Sequence, residues 1–394
     1  MDKRLLWLAV GSFAMSTVGF VFSSLLPSIA GDTHITIPHA GYLITAFSLS
    51  YAIGAPVLSA IAGALDRRRI IAAAMIVFVA GNLVAAASSS FSALLIAQIV
   101  MGMAAGLFAA TAQAAAVSLV GPNHRARAIA VVVGGTTFAV ALGAPAGSLI
   151  ATVWGWRGTF VAIALLGIAC ALILWSRLPR GSRGMRLTLT ERLTAIARPA
   201  ILPSMGVTFL YLTGGFIVIS YIGPLALEGA RLPDMALPGM LLAFGVGAVI
   251  GNLGSGYLAD RIGATRVVIL SLLMSSALCV AIALALKLLP PDLAGPALIG
   301  LMVPWGVIGW AFPPAQASRI VGFSPEVAHL TLSLNASALY FGIAFGTVIG
   351  GRVLELATPS DLGLVAAVFP LLALAVLLTG QRSLRPASTA QPAE

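Results

Sequence analysis

The chain has 394 residues, 59% of them hydrophobic and 9% charged, with a mean hydropathy of +1.04 and a formal net charge of +10. A soluble fold of this length needs far more charge to cover its surface, so the composition excludes one and points to repeated membrane crossing. Cys170 and Cys279 stand alone, which excludes a disulfide framework and a thiolate metal site, and no phosphate-binding glycine loop is present.

A helix crosses the roughly 30 Å hydrocarbon core with about 20 residues. Runs of that length predict twelve spans: 5–28, 39–61, 70–88, 91–119, 128–152, 158–177, 200–226, 235–258, 266–287, 294–315, 327–351 and 362–381. The first run follows Lys3 and Arg4 as a secretory signal would. It is too long and lacks a small-x-small cleavage site, so it reads as a retained span.

Span two leads into "GALDRRRII", where Asp66, Arg67, Arg68 and Arg69 interrupt the apolar sequence. Span five, "GGTTFAVALGAPAGSLIATVWGWRGTF", places Gly135, Ala139, Gly143 and Gly147 four apart, a spacing that lets helices approach closely. Pro145 removes one backbone hydrogen bond and predicts a bend. Trp154 and Trp156 then suit an interfacial aromatic belt, and Arg157 is given no transport role.

A basic connection with Gly and Pro divides the chain. It gives an N-terminal six-helix bundle (1–177), an inter-bundle loop (178–199), a C-terminal six-helix bundle (200–381) and a short tail (382–394). Span eight ends in "GYLADRIGATR", a second version of the loop after span two, with Asp260 lying 194 residues after Asp66. Span ten carries "WGVIGWAFPPAQ", an irregular, cavity-lining pattern. Span eleven repeats the stripe of span five with Ala338, Gly342, Gly346 and Gly350. The two stripes are expected to form the sliding surface between the bundles.

The connections alternate in charge. One set holds 18 of the 22 basic residues, Arg319 among them; the other holds Arg157, Arg231, Lys287 and Arg352. The positive-inside bias then puts both termini in the cytoplasm, with the longest loop on the same side. Topology thus accounts for the positive charge without a nucleic-acid partner.

Polar and aromatic residues inside spans mark a candidate solute cavity: Thr17, Gln98, Gln113, Tyr211, Trp305, Trp310, Gln316, Asn335 and Tyr340. As a set they describe an aromatic, moderately polar, uncharged site. No Asp or Glu falls convincingly inside a span, and His34, His39, His124 and His329 lie at or near span ends. Asp32, Asp66 and His329 are the remaining candidates for carrying a proton.

Together, Gly256, Asp260, Arg261, Gly263 and Arg266 resemble the loop motif Gly-x-x-x-Asp-Arg-x-Gly of the major facilitator superfamily. The first copy keeps Asp66 and Arg67, with Ala62 and Arg69 in place of its glycines. The stretch Gly135, Gly143, Ala144, Pro145, Ala146, Gly147 is similar to that superfamily's antiporter motif. The resemblance covers essentially the whole chain and extends to the twelve-span drug:proton antiporters and their arabinose-efflux-like members. It implies an all-α fold of two pseudo-symmetric bundles in a bacterial inner membrane, working by alternating access as a monomer. It implies proton-driven export of a drug, sugar or nucleoside, with no enzyme activity and no cofactor beyond the proton gradient. Asp66, Arg67, Arg69, Gly256, Asp260, Arg261 and Gly263 would form a cytoplasmic latch. Three further positions depart from the pattern: Ala144 stands where a glycine is usual before Pro145, Gln98 stands where an arginine is usual, and Val18 follows Thr17 where an acid is usual. These departures keep a uniporter or importer of the same fold as the alternative. A non-transporting sensor fits less well, since the chain has no soluble signalling domain.

Overall fold

The computed structural model describes residues 2–62, 65–121, 124–179, 181, 201–323 and 328–383, with the backbone alone at 125–126, 328–330 and 381–383. Twelve long helices follow one another: α1 (Lys3–Asp32), α2 (Ile37–Ala62), α3 (Arg67–Ala87), α4 (Phe91–Ser118), α5 (Arg125–Phe138), α6 (Ala144–Arg177), α7 (Ile201–Ile219), α8 (Ala236–Ile262), α9 (Ala264–Leu288), α10 (Pro291–Phe323), α11 (Ala328–Leu356) and α12 (Asp361–Ser383). The chain is a multi-pass membrane protein.

Spans five and six do not coincide with α5 and α6. A π turn, Ala139–Gly143, joins the two helices, so Arg127–Arg177 is one apolar helical stretch of 51 residues. At 1.5 Å per residue this is about 75 Å, more than twice the hydrocarbon thickness. Gly155 divides it, with φ 73° and ψ 166°, a conformation that glycine enters without a side-chain clash. The result is two crossings where the sequence predicts two. The predicted distortion at Pro145 takes the form of that π turn: the Ala144 N–H reaches back five residues to the Ala139 carbonyl.

Two predicted boundaries need correction. Span seven is not continuous, because α7 stops at Ile219. The chain then turns at Ser220 and Tyr221 and resumes as Ile222–Pro224 and a π turn, Leu225–Gly229. Gly223 and Pro224 weaken the helical ladder there. Span ten runs well past the predicted 315, so Arg319 lies in α10 and is only 8% exposed, not in a connecting loop. Of the inter-bundle loop only Leu178, Pro179 and Gly181 are described; the tail from 384 lies outside the described residues.

The packing repeats. In the first half α1 packs on α5 and α6, α4 on α2 and α3, and α3 on α6; in the second, α7 packs on α11 and α12, α10 on α8 and α9, and α9 on α12. The glycine stripes follow this repeat, which corrects their assignment to the surface between bundles. A methyl at Gly135, Gly143 or Gly147 would run into Ala9, Thr17 or Val21 of α1. At Gly342, Gly346 or Gly350 it would run into Phe209, Thr213 or Ile217 of α7. Small residues at this spacing reveal close approach but not the partner, and in both halves the partner is the half's own first helix.

Charged contacts join helix ends within each half. Arg157 reaches Asp32 at 2.6 Å and the Ser88 carbonyl at 3.1 Å, while Trp156 Nε1 donates to Asp32 at 2.8 Å. This ties together α1, α6 and the turn after α3. In the second half Lys287 pairs with Asp361, joining α9 to α12. An even number of crossings leaves the start of α1 and the end of α12 on one side, together with Arg67–Arg69, Arg261 and Arg266. That side is termed the basic face, and the side of Asp32 and Asp361 the far face.

Candidate functional site

The halves meet along two seams, α2 with α11 and the α5, π-turn and α6 segment with α8. Toward the far face the contact is tight. Tyr221, at the break after α7, fits against Gly41 of α2 and against Gly350 and Gly351 of α11. Its hydroxyl donates to the Thr347 carbonyl at 2.9 Å, and Ser220 hydrogen-bonds Thr347 at 2.7 Å. The recess beside it, lined by Tyr42, Thr45, Arg352 and Glu355 among others, encloses about 10 Å³, room for at most about one water.

Toward the basic face both seams end in a polar contact between halves. Ser337 donates to the Ala52 carbonyl at 2.9 Å, and Asn252 Nδ2 donates to Thr137 at 2.5 Å. One turn farther on the same helix faces stand Gly134 of α5 and Gly256 of α8. Each has open space for 4 Å where a side chain would start. Beyond Asn252, Leu253, Gly254, Gly256, Tyr257, Leu258, Asp260 and Arg261 are all exposed. Only the strip of α8 around Ser255, which bonds the Ala311 carbonyl of α10, is covered. Among the described residues the hydrogen bonds between halves stop at these two pairs on the basic side, while Tyr221 keeps the far side packed, so the halves part toward the basic face, and the space between them is termed the cleft.

Aromatic rings occupy the floor of this cleft. Phe20 of α1 lies 6.3 Å from Phe216 of α7 and 6.0 Å from Trp310 of α10. Tyr51 of α2 stacks on Tyr340 of α11 at 3.6 Å. Phe47, 6.5 Å from Tyr51 and packed against Gly19, connects the two groups. Phe20, Tyr51, Trp310 and Tyr340 each stand within a turn of the middle of their helix. The row therefore lies at mid-membrane depth.

The sequence-predicted cavity residues divide between floor and interior. Trp310 and Tyr340 are in the row. Gln113 is half-buried on α4. The others turn into their own halves. Thr17 lies against Gly143, and Trp305 meets Phe244 edge-on at 5.3 Å. Tyr211 stacks on Phe312 at 3.8 Å. Gln316 donates to the Ser204 carbonyl at 2.9 Å and to Thr208 at 3.2 Å, and Thr208 donates to Asn335 at 2.6 Å. Arg319 donates to Gln316 at 3.0 Å and closes this network inside the second half. Gln98 is fully buried within the first half, and neither of its amide atoms has a hydrogen-bond partner among the described residues. Gln98, Gln316 and Asn335 thus do not line the cleft in this conformation, because a polar side chain in a span finds its partners inside the bundle as readily as in a cavity.

The loop motifs are placed at the basic face. Asp66 caps α3, its carboxylate accepting from the Arg68 N–H at 3.0 Å and from the Gly181 N–H at 2.9 Å. The Gly181 N–H chiefly holds its pKa below the usual carboxylate value, with the Arg68 N–H and the charges of Arg69 and Arg68 acting in the same direction. Arg68 lies 4.4 Å above the ring of Trp175. Arg68 and Trp175 belong to the first half, and Gly181 to the loop that follows it. Asp260 and Arg261 are exposed, with Arg261 over Tyr257 at 4.5 Å, and Gly263, at φ 89°, makes the one-residue turn into α9. Among the described residues, Asp66, Asp260 and Arg261 make no hydrogen bond or ion pair to the other half. The side chain of His329 lies outside the described residues.

Phe20, Tyr51 and Phe216 carry no signal in the sequence, since each is one aromatic in an apolar run. Thr137 and Ser337 look like ordinary span hydroxyls until the seam is seen.

Two six-helix halves that repeat one packing pattern and meet along two seams define a membrane transport protein. The Major Facilitator Superfamily family model matches residues 8–347, and the chain belongs to that family. It is 31% identical over 367 residues to the uncharacterized MFS-type transporter YbcL of Bacillus subtilis, covering 93% of each chain. It is 32% identical over 356 residues to the inner membrane transport protein YdhP of Escherichia coli K12, covering 90% of each. With a chloramphenicol resistance protein of Streptomyces lividans it shares 30% over 382 residues, covering 96% of this chain and 95% of the relative. The fold matches the crystal structure of the human organic anion transporter MFSD10 (TETRAN) with a TM-score of 0.72 at 18% identity, covering 95% of this chain and 99% of that one. The chain is a membrane transporter and not an enzyme.

Proposed function

We propose that this protein exports a small organic solute across a bacterial inner membrane by alternating access, with the basic face in the cytoplasm. The observation that carries the reading is the cleft: it opens on the face bearing most of the basic residues, and its floor is aromatic. A solute would load from the cytoplasm, and closure of the cleft around it would open the Tyr221 seam on the far side. The antibiotic-resistance name of the Streptomyces relative supports efflux as the direction. The latch role of Asp66 and Asp260 belongs to the closed-cleft state, in which the second half would come within their reach.

A proton gradient is the proposed energy source, in keeping with the antiporter motif around Pro145. One observation favours a second reading, facilitated exchange without protons. Every Asp and Glu of the described residues lies at a helix end or in a connection, so no carboxylate stands at mid-depth to take and release a proton. The deciding experiment uses sealed proteoliposomes with an imposed pH gradient, an internal pH dye and labelled solutes added singly. Solute-dependent proton movement supports antiport. Solute flux without it supports the facilitator, and no flux of any solute would remove the transport reading itself.

A further inference from the structure

Resting on the transport reading, we infer that the cleft floor binds an uncharged solute carrying a flat aromatic ring. The ring would lie beside Phe20, Phe216 and Trp310. The first ground is room. Gly215, next to Phe216, and Gly309, next to Trp310, each have no atom within 4 Å of where a side chain would begin, although both are half-buried. A glycine facing lipid would have such space too. These two are chain neighbours of the rings that meet Phe20 across the line between halves, and the Gly309 carbonyl lies 3.5 Å from the Tyr211 hydroxyl of α7, inside the bundle. The rings themselves are only half-buried, with faces still to cover. Phe20 is tilted 44° to Phe216 and 52° to Trp310, so the three do not stack on one another and leave ring faces for a fourth.

The second ground is charge. The aromatic row includes no acidic or basic side chain. An organic cation would shed its water there without a counter-charge. The buried Arg319 bonds Gln316 inside the second half and is no counter-ion for a cleft anion. A sugar fits less well, because its hydroxyls each need a partner. The row offers a sugar only two hydroxyls, those of Tyr51 and Tyr340. A neutral ring offers apolar area and a face to stack, which is what this floor can receive.

The test is equilibrium binding of three labelled probes to the full-length protein in lipid nanodiscs: chloramphenicol (neutral, nitrophenyl), tetraphenylphosphonium (aromatic, cationic) and L-arabinose (neutral, non-aromatic). The expected result is saturable binding of chloramphenicol at least about tenfold tighter than either other probe. Trp310→Ala should weaken it about tenfold. Gly309→Leu, which fills the open space, should abolish it with the thermal midpoint within a few degrees of wild type. Trp154→Ala, at an exposed interfacial tryptophan, serves as the unaffected control. If tetraphenylphosphonium binds as well as chloramphenicol, the uncharged class is wrong. If arabinose alone binds, or if chloramphenicol binding is absent at millimolar concentration or unchanged in both floor variants, the site assignment is wrong. Flux of any solute in proteoliposomes would leave the transport reading standing in each of those cases, so the two failures can be told apart.

Discussion

Asp66 does local work whatever the state of the cleft. Its side chain caps α3, and its second oxygen holds the Gly181 N–H from the chain beyond α6. Because these bonds favour the carboxylate, its folded-state pKa is depressed. Its contribution to stability is therefore complete above the ordinary carboxylate pKa and is lost as pH falls through the lower folded value. In nanodiscs, the thermal midpoint of Asp66→Asn should lie below wild type at neutral pH, and the gap should close as the pH is taken into that acidic range. A gap constant with pH would mean that the charge is idle. Asp66→Ala removes the cap entirely and should cost about 1 kcal/mol at neutral pH. The sequence reading placed Asp66 at a functional loop from its repeat at Asp260. The partner Gly181 could not be read, since 115 residues separate them.

At the scale of helices, the seam between halves depends on α8 lying flush against the π turn after α5. A Cβ at Gly245 would overlap the Ala141 backbone of the other half. Gly245→Leu should therefore wedge the seam, costing about 1–3 kcal/mol from overpacking and most of the solute flux. Gly239, on the same helix and exposed, has open space around it; Gly239→Leu should leave flux unchanged. Equal flux in the two variants would show that α8 does not need this contact. The polar pair Asn252 and Thr137 sits where that seam ends. Asn252→Ala leaves Thr137 without this partner in a half-dry setting. It should alter the rate of solute flux more than the amount of solute bound, which a comparison of initial rates with equilibrium binding will separate. The sequence announces the tightness of α5 and α11 through their glycine spacing. It cannot say that they close on α1 and α7, because spacing constrains one helix surface and is silent about the other.

For the whole molecule, hydropathy and charge alternation make the twelve crossings and the two-half repeat legible, since each crossing must be long and apolar wherever it stands. What stays hidden is assembled across helices far apart in sequence: the row through Phe20, Tyr51, Phe216, Trp310 and Tyr340, the Tyr221 stopper, and the burial of Arg319 by an overlong α10. These shape the motion that transport requires. The structure is open at Gly134 and Gly256 and shut at Tyr221, and rigid halves moving about the floor must exchange the two conditions. Single cysteines can report this exchange, because native Cys170 and Cys279 are buried and should stay silent. In inside-out vesicles, a membrane-impermeant maleimide should label Gly256→Cys quickly from the basic face. In right-side-out vesicles, Thr45→Cys, beside the Tyr221 recess, should be protected. A transported solute should slow the first reaction and speed the second, in proportion to each other. If solute changed one site and left the other alone, the halves would not move as rigid bodies, and the seams at Ser337 and Asn252 would be fixed joints rather than fulcra.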